Sequence, residues 1–188
     1  ISEVFVDEIF TDPRLLSILE NQFVVGGGYE ILINKSRNLK ETFYYRGAVD
    51  FAGYSFGLID KFKKNADNKG KMFGDFYSQF TRFENDFRYK NQISTKLIWA
   101  NRLILGLGIP TGNSLQLPFG NKFFVGGNNS IRAFRARGIG PGNYQHTGSI
   151  AEEYLGNNTG DVKIEYNTEL RFKVNNFINP ALFIDAGN

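Results

Sequence analysis

Asp161-Val-Lys-Ile-Glu-Tyr-Asn-Thr-Glu-Leu-Arg-Phe-Lys-Val174 decides how this chain is read, because its polarity alternates without a fault. Val162, Ile164, Tyr166, Leu170, Phe172 and Val174 fall on one face, and Asp161, Lys163, Glu165, Asn167, Glu169, Arg171 and Lys173 on the other. Successive side chains point to opposite sides in an extended strand, so a period of two predicts one. The run is longer than the ~5–6 residues of an ordinary globular strand. Its second face carries charges of both signs.

The same pattern returns on either side. Residues 181–188 follow a short turn at 175–180 and read as a further strand. Upstream, 94–109 sets Leu97, Trp99, Leu103, Leu105, Leu107 and Ile109 against Lys96, Arg102, Gly106 and Gly108. Within 73–90, Phe83, Phe87 and Tyr89 oppose Arg82, Glu84, Asp86, Arg88 and Lys90. Two earlier segments, 22–34 and 40–52, alternate likewise and form a hairpin about the polar Lys35-Ser36-Arg37-Asn38. Turns at 35–39, 91–93 and 175–180 are short, whereas 1–21, 53–72 and 110–160 are long. All the long connections therefore lie at one end of an up-and-down sheet. Residues 1–21 suit an ordered loop with a short helix begun after Asp12, and 53–72, with Asn65, Asn68, Gly70 and five lysines, an exposed one.

Composition agrees with an all-β chain: 19 Phe, 9 Tyr and 21 Gly stand against 1 Met and 1 Trp. Long strands, charged inner faces and loops of unequal length are the layout of an antiparallel transmembrane β-barrel. A soluble ligand-binding β-sandwich is the alternative that the period alone allows, and it would be extracted without detergent. No stretch approaches the ~18 apolar residues of a membrane helix. With no Cys and only His146, thiolate chemistry and multi-histidine metal sites are excluded, so no cofactor or metal is expected. A net charge of +3 with the cations scattered among acids gives no reason to expect nucleic acid.

Between two strands lies Asn121-Lys-Phe-Phe-Val-Gly-Gly-Asn-Asn-Ser-Ile-Arg-Ala-Phe-Arg-Ala-Arg-Gly-Ile-Gly-Pro-Gly142, a loop rich in glycine that nevertheless holds bulky groups. Such a loop packs against something. Gly126-Gly127-Asn128-Asn129-Ser130-Ile131-Arg132-Ala133-Phe134, with Ile139-Gly140-Pro141 after it, resembles the sixth outside loop of the BamA/TamA family of outer-membrane assembly barrels. Asn167-Thr168-Glu169-Leu170-Arg171-Phe172 and Phe183-Ile184-Asp185-Ala186-Gly187-Asn188 resemble that family's next two strands. Ala133 stands where the family has glycine, so a positive φ there would be strained.

The resemblance implies about six strands of a sixteen-stranded barrel domain spanning 1–188, without the family's periplasmic POTRA domains or its closing strands. It implies a non-enzymatic factor of the bacterial outer membrane that folds and inserts β-barrel clients. Unfolded outer-membrane proteins, the lipid bilayer and accessory subunits of an assembly complex would be its partners. A TamA-like translocation factor or a two-partner secretion pore are its variants. It further implies that Arg132 folds inward to meet Glu169 and Asp185, and a lone acid in the apolar 181–188 segment independently asks for a partner.

Other chemistry is set aside on sequence grounds. The Gly138–Gly142 and Gly106–Ser114 stretches lack the Gly-Lys-(Ser/Thr) ending of a phosphate loop. Glu152-Glu153 reads as solvated and Glu165/Glu169 as ion-paired. Ser130 and His146 have no orienting acid.

Overall fold

The structure, a computed structural model, describes residues 22–38, 40–60, 70–72, 75–140, 142 and 158–188. In chain order its elements are β1 (Gln22–Phe23), β2 (Gly26–Arg37), β3 (Glu41–Ala52), helix α1 (Tyr54–Asp60), β4 (Lys71–Met72), β5 (Asp75–Tyr77), β6 (Phe80–Ser94), β7 (Leu97–Pro110), β8 (Val162–Phe172) and β9 (Ala181–Gly187). A 3-10 turn at Phe119–Asn121 lies in the loop after β7. The helix expected after Asp12, Pro141, His146 and Glu152-Glu153 lie outside the described residues.

Six strands form one sheet in the order β2-β3-β6-β7-β8-β9, with every neighbouring pair antiparallel. Neighbours in the sheet follow one another in the chain, which is the up-and-down arrangement expected. A second sheet of short strands, β1-β5-β4, lies at the end where the long connections gather.

Register carries the alternation of single strands across the whole sheet. Glu30, Ala48, Glu84, Gly106 and Lys163 make one cross-strand row, and Ile31, Gly47, Asn85, Leu105 and Ile164 the next. The first row belongs to a charged face and the second to an apolar one. On the apolar face Tyr29, Ile31, Leu107, Val162 and Ile164 are exposed. A sheet of this area exposing aliphatic and aromatic groups to water would be a large apolar patch, whereas lipid is its ordinary surrounding.

The charged face is laced by ion pairs. Arg46 bridges Glu30 and Glu84, each at 2.7 Å, and Arg82 bonds both Asp50, at 3.0 Å, and Glu84. Asp86 accepts from Arg88 at 2.7 Å and Arg102 at 2.8 Å. Like charges alone would repel across a strand pair; alternating signs attract.

Several boundaries differ from the sequence reading. Lys35, Ser36 and Arg37 belong to β2 and pair with Phe43, Thr42 and Glu41. The turn therefore starts at Asn38, whose φ of 52° an asparagine tolerates. Asn91 and Gln92 look like turn residues by composition, yet they pair with Trp99 and Ile98, and a register shift between Gln92 and Ser94 sets Ile93 outside the ladder. The strand expected from residue 73 begins only at Phe80, after the separate β5. Residues 53–72, expected as an exposed connection, begin with a buried Gly53 and then α1. Phe56 of that helix stacks at 5.9 Å from Phe23 and 5.7 Å from Tyr77, and this aromatic group holds α1 against β1 and β5.

Candidate functional site

The long connection after β7 turns back onto the charged face. Leu117, Phe123, Val125 and Ile131 are buried in it, and the sheet makes room for them where it has no side chains. A β-carbon on Gly106 would stand 2.6 Å from the Phe123 ring, and one on Gly108 2.5 Å from Leu117. Two glycines in adjacent inward positions of β7 thus form a shallow seat. Leu117 packs with Ala52 and Phe80 in the buried cluster at the base of the loop. Arg82 stacks over Phe123 at 4.2 Å, and Arg137 lies between Phe119 and Phe124 at 4.6 and 4.8 Å.

Beyond this seat the loop tightens. Gly126 and Gly127 have φ of 99° and 95°, and a β-carbon on Gly126 would meet the Arg135 carbonyl oxygen at 2.2 Å. Only glycine fits that turn. The Gly127 amide donates to the Phe134 carbonyl at 2.8 Å, closing the segment on itself. Ala133 is exposed, and the non-glycine residues with positive φ among those described are Asn38 and Arg137. Ala133 is not among them, so the replacement of glycine brings no left-handed strain at that position. Phe134 leaves its ring half exposed.

The closed turn presents three groups to β8 and β9. Ser130 Oγ accepts from the Gly126 amide at 3.0 Å and donates to Glu165 at 2.6 Å. Glu165 is wholly buried and also meets Lys163 at 3.1 Å. Ile131 reaches Gly187, where a β-carbon would stand 3.3 Å from its Cδ1. Arg132 then spans the two strands. Its Nε and Nη2 donate to the two oxygens of Asp185 at 2.8 and 2.9 Å, its Nη1 donates to Glu169 at 2.7 Å, and its own amide donates to Asp185 at 3.2 Å. The guanidinium plane lies 3.7 Å over the Phe183 ring. The Asp185 hydrogen bonds, followed by the one to Glu169, outweigh burial and hold the Arg132 guanidinium charged even above the usual arginine range.

Sequence reasoning named Arg132, Glu169 and Asp185, and the structure brings the three together. It missed Asn167, whose amide nitrogen donates to the Ser130 carbonyl and to Asp185, each at 3.0 Å. It also missed Phe183 and the Gly106/Gly108 seat; two glycines on the charged side of an otherwise regular strand were the available signal. Gly106 and Gly108 lie inside β7, so no phosphate loop is formed there. Glu165 and Glu169 stand four residues apart on one strand, roughly 13 Å, beyond the ~5–9.5 Å at which paired carboxylates cleave glycosides. Each is taken up by its own cations.

An antiparallel meander with an exposed apolar face, a charged opposite face and a loop docked on the latter is the wall of a transmembrane β-barrel. The Omp85 superfamily domain matches residues 62–188, and the chain belongs to that superfamily. Among the described residues, six strands form one sheet, a stretch of such a barrel's wall. Omp85 proteins reside in bacterial outer membranes, where they insert or translocate other proteins without enzymatic chemistry. No curated protein matches the chain.

Proposed function

We propose that this sheet belongs to a barrel that folds and inserts β-barrel clients in the outer membrane, as the central subunit of an assembly complex with accessory proteins. Its charged face lines the lumen, and the loop at 121–142 folds into it. The observation that carries the reading is the Arg132 contact set: one loop side chain bonded to carboxylates of two adjacent strands and stacked on Phe183. Such an arrangement fixes a loop against a wall and lets it be released as a unit. No nucleotide or metal is needed, since clients gain backbone pairing and apolar burial as they enter lipid.

Assembly of a reporter barrel, followed by its protease-resistant folded form in cells depending on this protein, tests the role. Arg132→Ala should lower assembly by roughly ten- to a hundredfold, in line with losing ~1.5–3 kcal/mol of charged hydrogen bonding, with the protein still present in the membrane. Unchanged barrel assembly together with loss of a secreted passenger would assign the chain to translocation or secretion instead.

A further inference from the structure

Beneath the loop tip the charged face holds a cavity of about 510 Å3. Its floor is Ala100, which lies in the row between Lys90 of β6 and Glu169 of β8. Arg88 and Arg102 make the adjacent row on one side, Arg171 follows on the other, and Arg132 enters from the loop. Four of these five cations meet three carboxylates, Asp86, Glu169 and Asp185, and Lys90 meets none of them, which leaves a surplus of two positive charges around one small residue.

Donor accounting shows where that surplus is available. Arg102 spends its nitrogens on Asp86 and on the Asn129 carbonyl, and Arg132 is taken up by Glu169 and Asp185. Arg171 gives only Nε to Glu169, and Lys90 has no protein partner among the described residues. The two Nη groups of Arg171 and the Lys90 ammonium therefore remain free to donate. Their α-carbons are separated by two strand spacings and one step of two residues, about 12 Å. Both side chains line the cavity with Ala100, and each is long enough to close that distance around a group the size of a tetrahedral oxyanion.

We propose that this cup binds a phosphate-class oxyanion, with Lys90 and Arg171 as its direct donors and Arg88 and Arg102 supplying the positive field. A guanidinium offers two parallel N–H groups to phosphate, and an ammonium adds a point charge. The cup opens on the face away from lipid, so its ligand is a soluble phosphate and not a membrane headgroup. The site is independent of any role in client assembly and can be tested without it.

The test is calorimetric titration of the detergent-solubilised intact barrel protein with inorganic pyrophosphate at low salt, repeated in vesicles with and without anionic lipid. Saturable one-to-one binding is expected. Lys90→Ala and Arg171→Ala should each weaken it about tenfold, the scale of one charge-assisted contact. Ala100→Leu, which fills the floor and removes no charge, should abolish it, and Lys35→Ala on the opposite face should leave it unchanged. No saturable binding, or binding indifferent to Lys90, Arg171 and Ala100, would overturn the site. Weaker pyrophosphate binding in anionic vesicles would overturn the soluble source, because a headgroup would then be competing for the cup.

Discussion

Arg132 shows what an arginine does that a lysine cannot. Its planar fork meets both oxygens of Asp185 while a third nitrogen reaches Glu169, and the flat face remains free to cover Phe183. The guanidinium is held charged above its ordinary range by these bonds. A group whose folded-state value is raised contributes fully below its unfolded value and loses that contribution only as pH rises through the folded one. For an arginine, both values lie above the mildly alkaline range. Loop protection, read by limited proteolysis against a denatured control, should therefore be equal at about pH 7 and about pH 10. Arg132→Lys should lose most of the protection already at neutral pH, and more near ~10.4, where an ordinary lysine discharges. A neighbouring residue constrains the turn differently. Gly126→Ala brings a β-carbon onto the Arg135 carbonyl in a left-handed backbone, so it should raise the loop cleavage rate about five- to thirtyfold, the equivalent of ~1–2 kcal/mol of strain.

At the scale of elements, the six long strands were legible because alternation is local: each residue's face follows from its neighbours' parity. The ends were less so. Asn91 and Gln92 have turn chemistry but pair with Trp99 and Ile98, since the partner strand decides where a ladder stops. Helix α1 was invisible because a seven-residue segment with Gly57 inside it carries little period, and Phe56 finds its partners in Phe23 and Tyr77 from distant segments. The loop's seat depends on a contact between Phe123 and Gly106 that no spacing announces. By contrast, the separation of the two sheet faces yields a prediction from the strand alone. In the membrane-reconstituted protein, Leu105→Arg should cost ~2–4 kcal/mol if the residue lies near the bilayer midplane, whereas Lys163→Arg on the charged face should cost little. Chemical unfolding in vesicles measures both, and equal tolerance would contradict the lipid-facing assignment.

For the molecule as a whole, the sheet is open: β2 and β9 each have one neighbour among the described residues. Lipid cannot bond the free amides and carbonyls of an edge strand, at several kcal/mol per unsatisfied group. Residues 1–188 alone should therefore aggregate in detergent, and a monodisperse, heat-modifiable monomer in gel filtration would show that the sheet closes by itself. Of the contacts that join sheet and loop, the Arg132 set is the one that can be measured directly. A double-mutant cycle of Arg132→Ala and Asp185→Ala, read as loop-opening free energy from proteolysis of the membrane-reconstituted protein, isolates the pair from the rest of the seat. Docking through this pair predicts a coupling of roughly 1.5–3 kcal/mol, the range of charged hydrogen bonds, with the second substitution adding almost nothing to the first. Strictly additive effects, or a loop equally protected in all four proteins, would contradict it.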